Sequence, residues 1–116
     1  MYNSHQLGKL GEKLALEFLK QNQFSVVVTN WRWQKAEIDI IAKKLDLLVF
    51  VEVKTRSSEK YGSPYEFVNT KKQKLMKEAA EAFIEQHQMT NEIRFDIISV
   101  VINSEIKKIK HIPDAF

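Results

Sequence analysis

The chain has 116 residues, a formal net charge of +3 and no cysteine, and its pI is about 9.1. A chain of this length that is 44% hydrophobic fits one domain with one modest core. The absence of cysteine excludes disulfides, thiol nucleophiles and cysteine-ligated zinc. The basic balance is compatible with a nucleic-acid partner. Because the sequence predicts neither a signal peptide nor an apolar run approaching ~18 residues, we expect a cytoplasmic protein without a membrane partner.

Hydrophobic periodicity predicts two helices and five strands. The first helix is expected to begin at an Ser4 N-cap and the second at a Thr70 cap. The predicted elements are a helix over 4–22, strands over 24–30, 37–43 and 47–55, a loop over 56–69, a helix over 70–87, and strands over 93–102 and 106–112. The order αβββαββ predicts an α/β sandwich with a mixed sheet.

Residues 47–55 contain an acid and a base within a segment that otherwise predicts a buried strand. Because alternate side chains of a strand share one face, Glu52 and Lys54 are expected to lie on the same face as Phe50. Burial of unpaired charges is unfavourable by several kcal/mol. We therefore expect this pair to meet partners, a metal ion or a ligand at one end of the strand.

The preceding segment alternates acids with isoleucine at the strand period, so that Glu37 and Asp39 share a face. A hairpin with its turn at 45–46 would place Asp39 opposite Glu52, with Cβ atoms about 4.5–5.5 Å apart. Two carboxylates at that separation repel each other unless a proton or a cation lies between them. Because oxygen-only ligation favours Mg²⁺ or Mn²⁺, the pattern predicts a site for one of these ions, flanked by Lys54.

The spacing of Asp39 and Glu52-Val53-Lys54 resembles the metal-binding core of the PD-(D/E)XK nuclease superfamily, which includes restriction enzymes and archaeal Holliday-junction resolvases. A wider set of motifs resembles one branch, the small YraN-like proteins, a family described as uncharacterised and endonuclease-like. These motifs are Gly8-x-x-Gly11-Glu12, Asn30-x-Arg32, Glu37-Ile38-Asp39-Ile40-Ile41 and Val51-Glu52-Val53-Lys54-Thr55-Arg56. The resemblance implies a restriction-endonuclease-like three-layer sandwich with a mixed central sheet.

The resemblance also implies roles for particular residues. Asp39 and Glu52, with the carbonyl of Val53 and with Glu12, are expected to hold Mg²⁺ or Mn²⁺. Lys54 is expected to orient the attacking water or to stabilise charge on the phosphate. The implied activity is metal-dependent endonucleolytic hydrolysis of DNA phosphodiester bonds, at branched or otherwise irregular structures.

Basic and aromatic residues around these motifs are candidates for nucleic-acid binding. The cations that could contact phosphates are Arg32, Arg56, Lys71 and Lys72. Trp31 and Trp33 could stack on unpaired bases, but a role in the core or in a dimer is favoured for at least one of them. A loop at 61–64 could close over a substrate or serve only as a connection.

Cleavage of both strands of a duplex needs two sites, which a homodimer would supply. The residues expected at such an interface are the two tryptophans and an apolar edge strand at 98–102. Two other functions stay open: a nucleic-acid-binding module that does not cut, and a protein-interaction domain in which the acids form a structural ion-pair cluster. Metal binding and then cleavage separate these alternatives.

Overall fold

A computed structural model describes residues 2–58 and 68–116, so the predicted loop at 61–64 lies outside the described residues. The elements are α1 (Ser4–Gln21), β1 (Ser25–Trp33), β2 (Ala36–Lys44), β3 (Leu47–Arg56), α2 (Thr70–Gln86), β4 (Glu92–Ile102) and β5 (Lys107–Ile112). The predicted order αβββαββ is confirmed. Neither described helix is long and apolar enough to cross a membrane.

The five strands form one sheet in the order β1-β2-β3-β4-β5. β3 and β4 run parallel and the other neighbours run antiparallel. Parallel neighbours need a crossover connection, and α2 lies within it. The two helices cover opposite faces of this mixed sheet, which confirms the predicted three-layer, restriction-endonuclease-like sandwich.

Alternation along β3 divides the interior into two cores. Leu48 and Phe50 pack with α2 residues such as Phe83 in one core, whereas Val49 and Val51 pack with α1 in the other. A strand that is covered on both faces requires apolar residues at consecutive positions, as in this segment. Glu52 and Lys54 follow Phe50 at the strand period, so they project toward the α2 side.

The N-cap of each helix lies one residue before the predicted cap. Asn3 caps α1, and its side chain accepts from the Gln6 backbone N–H at 2.8 Å. Asn69 caps α2 in the same way, accepting from Lys72 N–H at 2.9 Å. The predicted caps Ser4 and Thr70 are therefore wrong, because an asparagine one position earlier satisfies the first-turn donors.

β1 is longer than predicted and includes both tryptophans, which pack against the α2-side core. The Trp31 ring meets Phe83 edge to face at a centroid distance of 5.2 Å. The favoured core role for a tryptophan is confirmed. The expectation that residues 98–102 form an edge strand is wrong, because β4 lies between β3 and β5. The edge on that side is β5, the last strand of the chain, because its pairing with β4 covers the free side of β4.

Candidate metal centre

The hairpin of β2 and β3 brings the predicted acids together. Ile40 pairs with Val51 and Lys44 with Leu47, so the turn lies at 45–46 as predicted. The β2–β3 ladder ends at the first of these pairs, whereas β2 continues to pair with β1 as far as Ala36. The two strands therefore separate directly beside Asp39.

The Asp39 side chain occupies the position where the ladder ends. Its Oδ2 accepts a hydrogen bond of 2.8 Å from the Val53 backbone N–H, and its carboxyl group is also hydrogen-bonded to Glu52. Burial, together with the negative charge and hydrogen bond of Glu52, raises the pKa of Asp39 to about 8. The repulsion between the two carboxyl groups therefore disfavours the state in which both are ionised.

Glu52 is 4% exposed and is the more buried acid of the pair. The Lys72 ammonium group, from the first turn of α2, contacts Glu52 Oε2. Lys72 was predicted to contact nucleic acid, but in the structure it balances the charge of a buried acid. No sequence pattern indicates this contact, because the position of α2 against the sheet depends on tertiary packing.

Glu12 approaches from the opposite side of the sheet, on α1. Its negative charge contributes to the raised pKa of Asp39. Asn30, in β1, donates from its side-chain amide to Glu12 Oε1 at 3.0 Å. Asn30 has a φ of 50°, a left-handed conformation that asparagine tolerates better than most residues. Asn30 is thus a positioning residue that the sequence motif contained but that had been given no role.

The other predicted site residues differ in exposure and in their contacts. Lys54 is half-buried on the Glu52 face of β3, and Arg56 is half-buried at the end of that strand. Lys71 is exposed at the start of α2. Arg32 is exposed in β1 and forms an ion pair of 2.9 Å with Glu37. Of the four predicted phosphate contacts, Lys72 is in contact with the acid pair.

The acids line a cleft of about 310 Å³ between β2, β3 and the start of α2. Its walls combine charged side chains with the apolar flank of α2. They are Lys35, Ala36, Glu37, Asp39, Glu52, Lys72, Leu75 and Met76. The acid pair is therefore accessible to a small ion or to one group of a larger ligand.

Comparison with known proteins identifies the family. Residues 11–100 match the uncharacterised protein family UPF0102. The chain belongs to this family. A UPF0102 protein of Flavobacterium psychrophilum is 48% identical over 116 residues, covering 100% of this chain and 98% of the relative. UPF0102 proteins of Christiangramia forsetii and Dictyoglomus turgidum are each 42% identical, over 100% and 98% of this chain and over 98% and 99% of the relatives. The predicted YraN-like membership is confirmed.

The donor groups of this UPF0102 protein fit a hard divalent cation. Among residues 2–58 and 68–116, no group of three or more Asp, Glu, His or Cys side chains is arranged to hold a metal ion. Mg²⁺, however, is usually held by one or two carboxylates together with water and substrate phosphates. Asp39 and Glu52 supply two carboxylates, and a cation between them would neutralise both.

A second buried acid of the UPF0102 chain provides a contrast. Asp96 is 0% exposed and accepts from Arg94 at 2.8 and 2.9 Å, from the Asp114 N–H at 3.1 Å, and lies 2.7 Å from His111 Nε2. Burial alone would raise the pKa of Asp96, but the hydrogen bonds with His111 and Arg94 outweigh burial and lower it. Asp96 is thus stabilised as an anion, whereas Asp39 is stabilised as an acid.

Proposed function

We propose that this protein is a divalent-metal-dependent nuclease that hydrolyses phosphodiester bonds of DNA. The observation that carries the proposal is the acid pair at the end of the β2–β3 ladder. Asp39 and Glu52 line one cleft and are in hydrogen-bond contact, and a pair of carboxyl groups that resist ionising together is a recurrent arrangement at catalytic sites. Membership of UPF0102 by itself supports no particular activity.

The proposed ligands for Mg²⁺ or Mn²⁺ are the carboxyl groups of Asp39 and Glu52, the carbonyl oxygen of Val53 and, from α1, Glu12. When bound, such an ion lowers the pKa of an attacking water and polarises the scissile phosphate. Asp39 must lose its proton to act as a ligand, so binding is expected to release a proton and to strengthen as the pH rises.

Two lysines have separate roles in the proposal. Lys54 shares the Glu52 face of β3, where its ammonium group would orient water or stabilise charge that develops on the phosphate. Lys72 neutralises Glu52 in the absence of metal. With a divalent cation bound at the acid pair, the ion pair between Glu52 and Lys72 would be weaker. Lys72 would then be available to a phosphate oxygen.

DNA is the proposed substrate, at branched or irregular structures, and the cytoplasm is the proposed compartment. The formal charge of +3 supports a polyanionic partner. The two competing functions, non-catalytic nucleic-acid binding and protein interaction, make different experimental predictions. The first retains DNA binding without cleavage, and the second shows neither DNA binding nor metal binding.

The decisive experiment is a Mg²⁺ and Mn²⁺ titration by calorimetry, followed by a cleavage screen over single-stranded, duplex, flapped and four-way DNA. Asp39→Ala and Glu52→Ala should each abolish metal-dependent cleavage. Lys54→Ala should lower the cleavage rate by at least 100-fold while leaving metal affinity within threefold, since a positioned cation acts mainly in the transition state.

The chain contains a matched control for these substitutions. Glu105 and Lys107 have the same acid-x-base spacing as Glu52 and Lys54, but both are exposed beside the β4–β5 turn. Glu105→Ala and Lys107→Ala should therefore leave metal binding and cleavage unchanged. Equal cleavage by the parent and by all three site variants would remove the nuclease proposal.

A further inference from the structure

A second groove runs beside the acid cleft, between α1 and the β1–β2 hairpin. It has a volume of about 830 Å³. Glu37 lines both the groove and the acid cleft, so the two are adjacent. The side chains and backbone that matter here are those of Gly8, Lys9, Glu12, Lys13, Arg32 and Glu37.

The charges of this groove leave two ammonium groups available. Both carboxyl groups are already engaged, since Glu37 pairs with Arg32 at 2.9 Å and Glu12 accepts from Asn30 at 3.0 Å. Lys9 and Lys13 are exposed and form no ion pair with the described residues. Successive cations on one helix face, beside a cleft, suit a chain of phosphates better than a single anion.

Gly8 adds an independent observation. It lies inside α1, where glycine is among the least favourable residues. A Cβ built at Gly8 meets nothing within 4 Å, whereas a Cβ at Gly11 would collide with Thr55. The fold therefore requires glycine at position 11 and has no packing need for it at position 8. A bare helix backbone at the wall of a groove allows a ligand to approach closely.

We propose that this groove binds the sugar–phosphate backbone of one DNA strand that flanks the phosphate held at the acid pair. This inference rests on the proposed function. From Ser4 to Leu16 the helix face is about 18 Å long at 1.5 Å per residue, which accommodates several successive phosphates. The groove volume is that of a ligand site for a few nucleotides rather than a duplex.

The groove recognises the backbone and not the bases. None of the described residues that line it is Phe, Tyr or Trp, and Trp31 and Trp33 pack on the opposite side of the sheet, toward α2. Stacking is the principal means of holding single-stranded bases. Binding at the groove is therefore independent of sequence and strongly dependent on salt.

The experiment measures binding of a fluorescein-labelled single strand of about 12 nucleotides, in two unrelated sequences, by anisotropy with Ca²⁺ in place of Mg²⁺. Lys9→Ala/Lys13→Ala should weaken binding at least tenfold at low salt. The slope of log K against log[salt] should decrease in magnitude by about 1.4, which is two contacts at about 0.7 each. Gly8→Trp should weaken binding about tenfold with the slope unchanged.

Two control variants on the same helix match these changes. Lys20→Ala removes an exposed lysine and Gln21→Trp adds an exposed indole, and neither position lines the groove. Both should bind the strand within twofold of the parent. Circular dichroism and thermal unfolding establish that each variant is folded, and the lysine pair tests the groove independently if Gly8→Trp does not fold.

The outcomes separate this inference from the proposed nuclease activity. If the groove variants bind as tightly as the parent, the groove assignment is overturned, whether or not the parent cleaves DNA. If the parent binds through the groove but never cleaves in Mg²⁺ or Mn²⁺, the groove assignment holds and the nuclease proposal fails. Absence of binding by the parent at millimolar concentration overturns the groove assignment, whereas the nuclease proposal is decided by the cleavage screen.

Discussion

Asp39 in β2 is half-buried and Asp96 in β4 is buried, and β3 separates the two strands, yet the pKa of Asp39 is raised whereas that of Asp96 is lowered. Asp96 is surrounded by donors from Arg94, His111 and the backbone. Asp39 has one backbone donor and faces another acid. Hydrogen-bond donors thus distinguish the two acids, because several donors stabilise the Asp96 anion whereas burial and the charge of Glu52 disfavour ionisation of Asp39.

The raised pKa of Asp39 predicts a pH dependence of stability in metal-free protein. The folded pKa of about 8 lies above the ordinary aspartate pKa of 3.8, so between about pH 4 and 8 the folded state keeps a proton that the unfolded state has released. The free energy of unfolding should therefore fall as the pH rises through this window. Asp39→Asn removes the titration and should flatten the profile by at least ~1 kcal/mol between pH 5 and 8.5.

Urea denaturation with a chelator present, for parent and Asp39→Asn at both pH values, measures this difference. Asparagine can still accept from the Val53 N–H, so the variant is expected to fold. Parallel pH profiles for the two proteins would contradict the assignment. Saturating Mg²⁺ should reverse the parent's trend, because metal binding requires the deprotonated acid.

Lys72 offers a second prediction at this scale. Lys72→Met leaves Glu52 buried without its counter-charge, which should lower the free energy of unfolding by about 1–2 kcal/mol, since the lysine itself is partly exposed. It should also raise the affinity for Mn²⁺, because the ammonium group competes with a cation for the same carboxyl oxygen. Lys71→Met, at the exposed adjacent position, is the control and should change stability by less than ~0.5 kcal/mol.

Sequence reasoning reached the acid pair because both acids lie in one hairpin, where alternation and turn position fix the partners. It did not reach Lys72 as a partner of Glu52, since that contact joins α2 to β3 and depends on how the helix packs against the sheet. Nor did it give Asn30 a role, because a hydrogen bond to Glu12 depends on the local left-handed backbone. Local periodicity contains no information about either.

At the level of elements, α1 contains two glycines with opposite requirements. Gly8→Ala should raise the free energy of unfolding by about 0.5–1 kcal/mol, because alanine is favoured inside a helix and the added Cβ meets open space. Gly11→Ala should lower it by about 1–3 kcal/mol, because the Cβ would collide with Thr55 where α1 packs on β3.

Thermal and chemical unfolding of the two single variants test this pair within one helix. Gly11→Ala/Thr55→Gly should recover part of the loss, since removing the Thr55 side chain opens the space that the new methyl needs. Similar effects of alanine at both positions would show that helix propensity, rather than packing, governs this helix.

The order and type of the helices and strands could be predicted, whereas several of their first or last residues could not. β1 continues through Trp33 because the tryptophans find a core beneath α2, although their mixture with Arg32 and Gln34 resembles a polar loop. The helix caps moved by one residue because asparagine and the following hydroxyl residue are both good caps, and only the geometry decides between them.

At the level of the whole molecule, the sheet follows the order of the strands in the sequence, and the wrong expectation was that β4, rather than β5, forms its edge. The parallel pairing of β3 with β4 moves the apolar β4 to the interior and leaves β1 and β5 as the edges. β5 has exposed lysines at 107, 108 and 110, which oppose pairing with another strand. A homodimer built by strand addition at β4 is therefore excluded, and addition at β5 is unfavourable.

The proposed nuclease has one acid pair, Asp39 and Glu52, among the described residues of each chain. It is therefore expected to cleave one DNA strand at a time. If the protein sediments as a monomer at micromolar concentration, supercoiled plasmid should be converted to open circles well before linear DNA appears. Analytical ultracentrifugation and a plasmid time course on the same preparation test this. Linear DNA formed in parallel with open circles would instead require two sites that act together, as in a twofold dimer.

The two faces of β3 serve different neighbours, with Glu52 toward α2 and Thr55 against Gly11 of α1. Slippage of this strand by a single residue would exchange the faces. A valine would then take the position of Glu52 opposite Lys72. A long cationic side chain would take the position of Thr55 against α1. Misaligned chains would thus lose helix docking and the acid pair in the same event. Resistance to proteolysis therefore reports correct assembly of the site. Protein that survives limited proteolysis should also be enriched in molecules that bind metal, if the proposed metal site is correct.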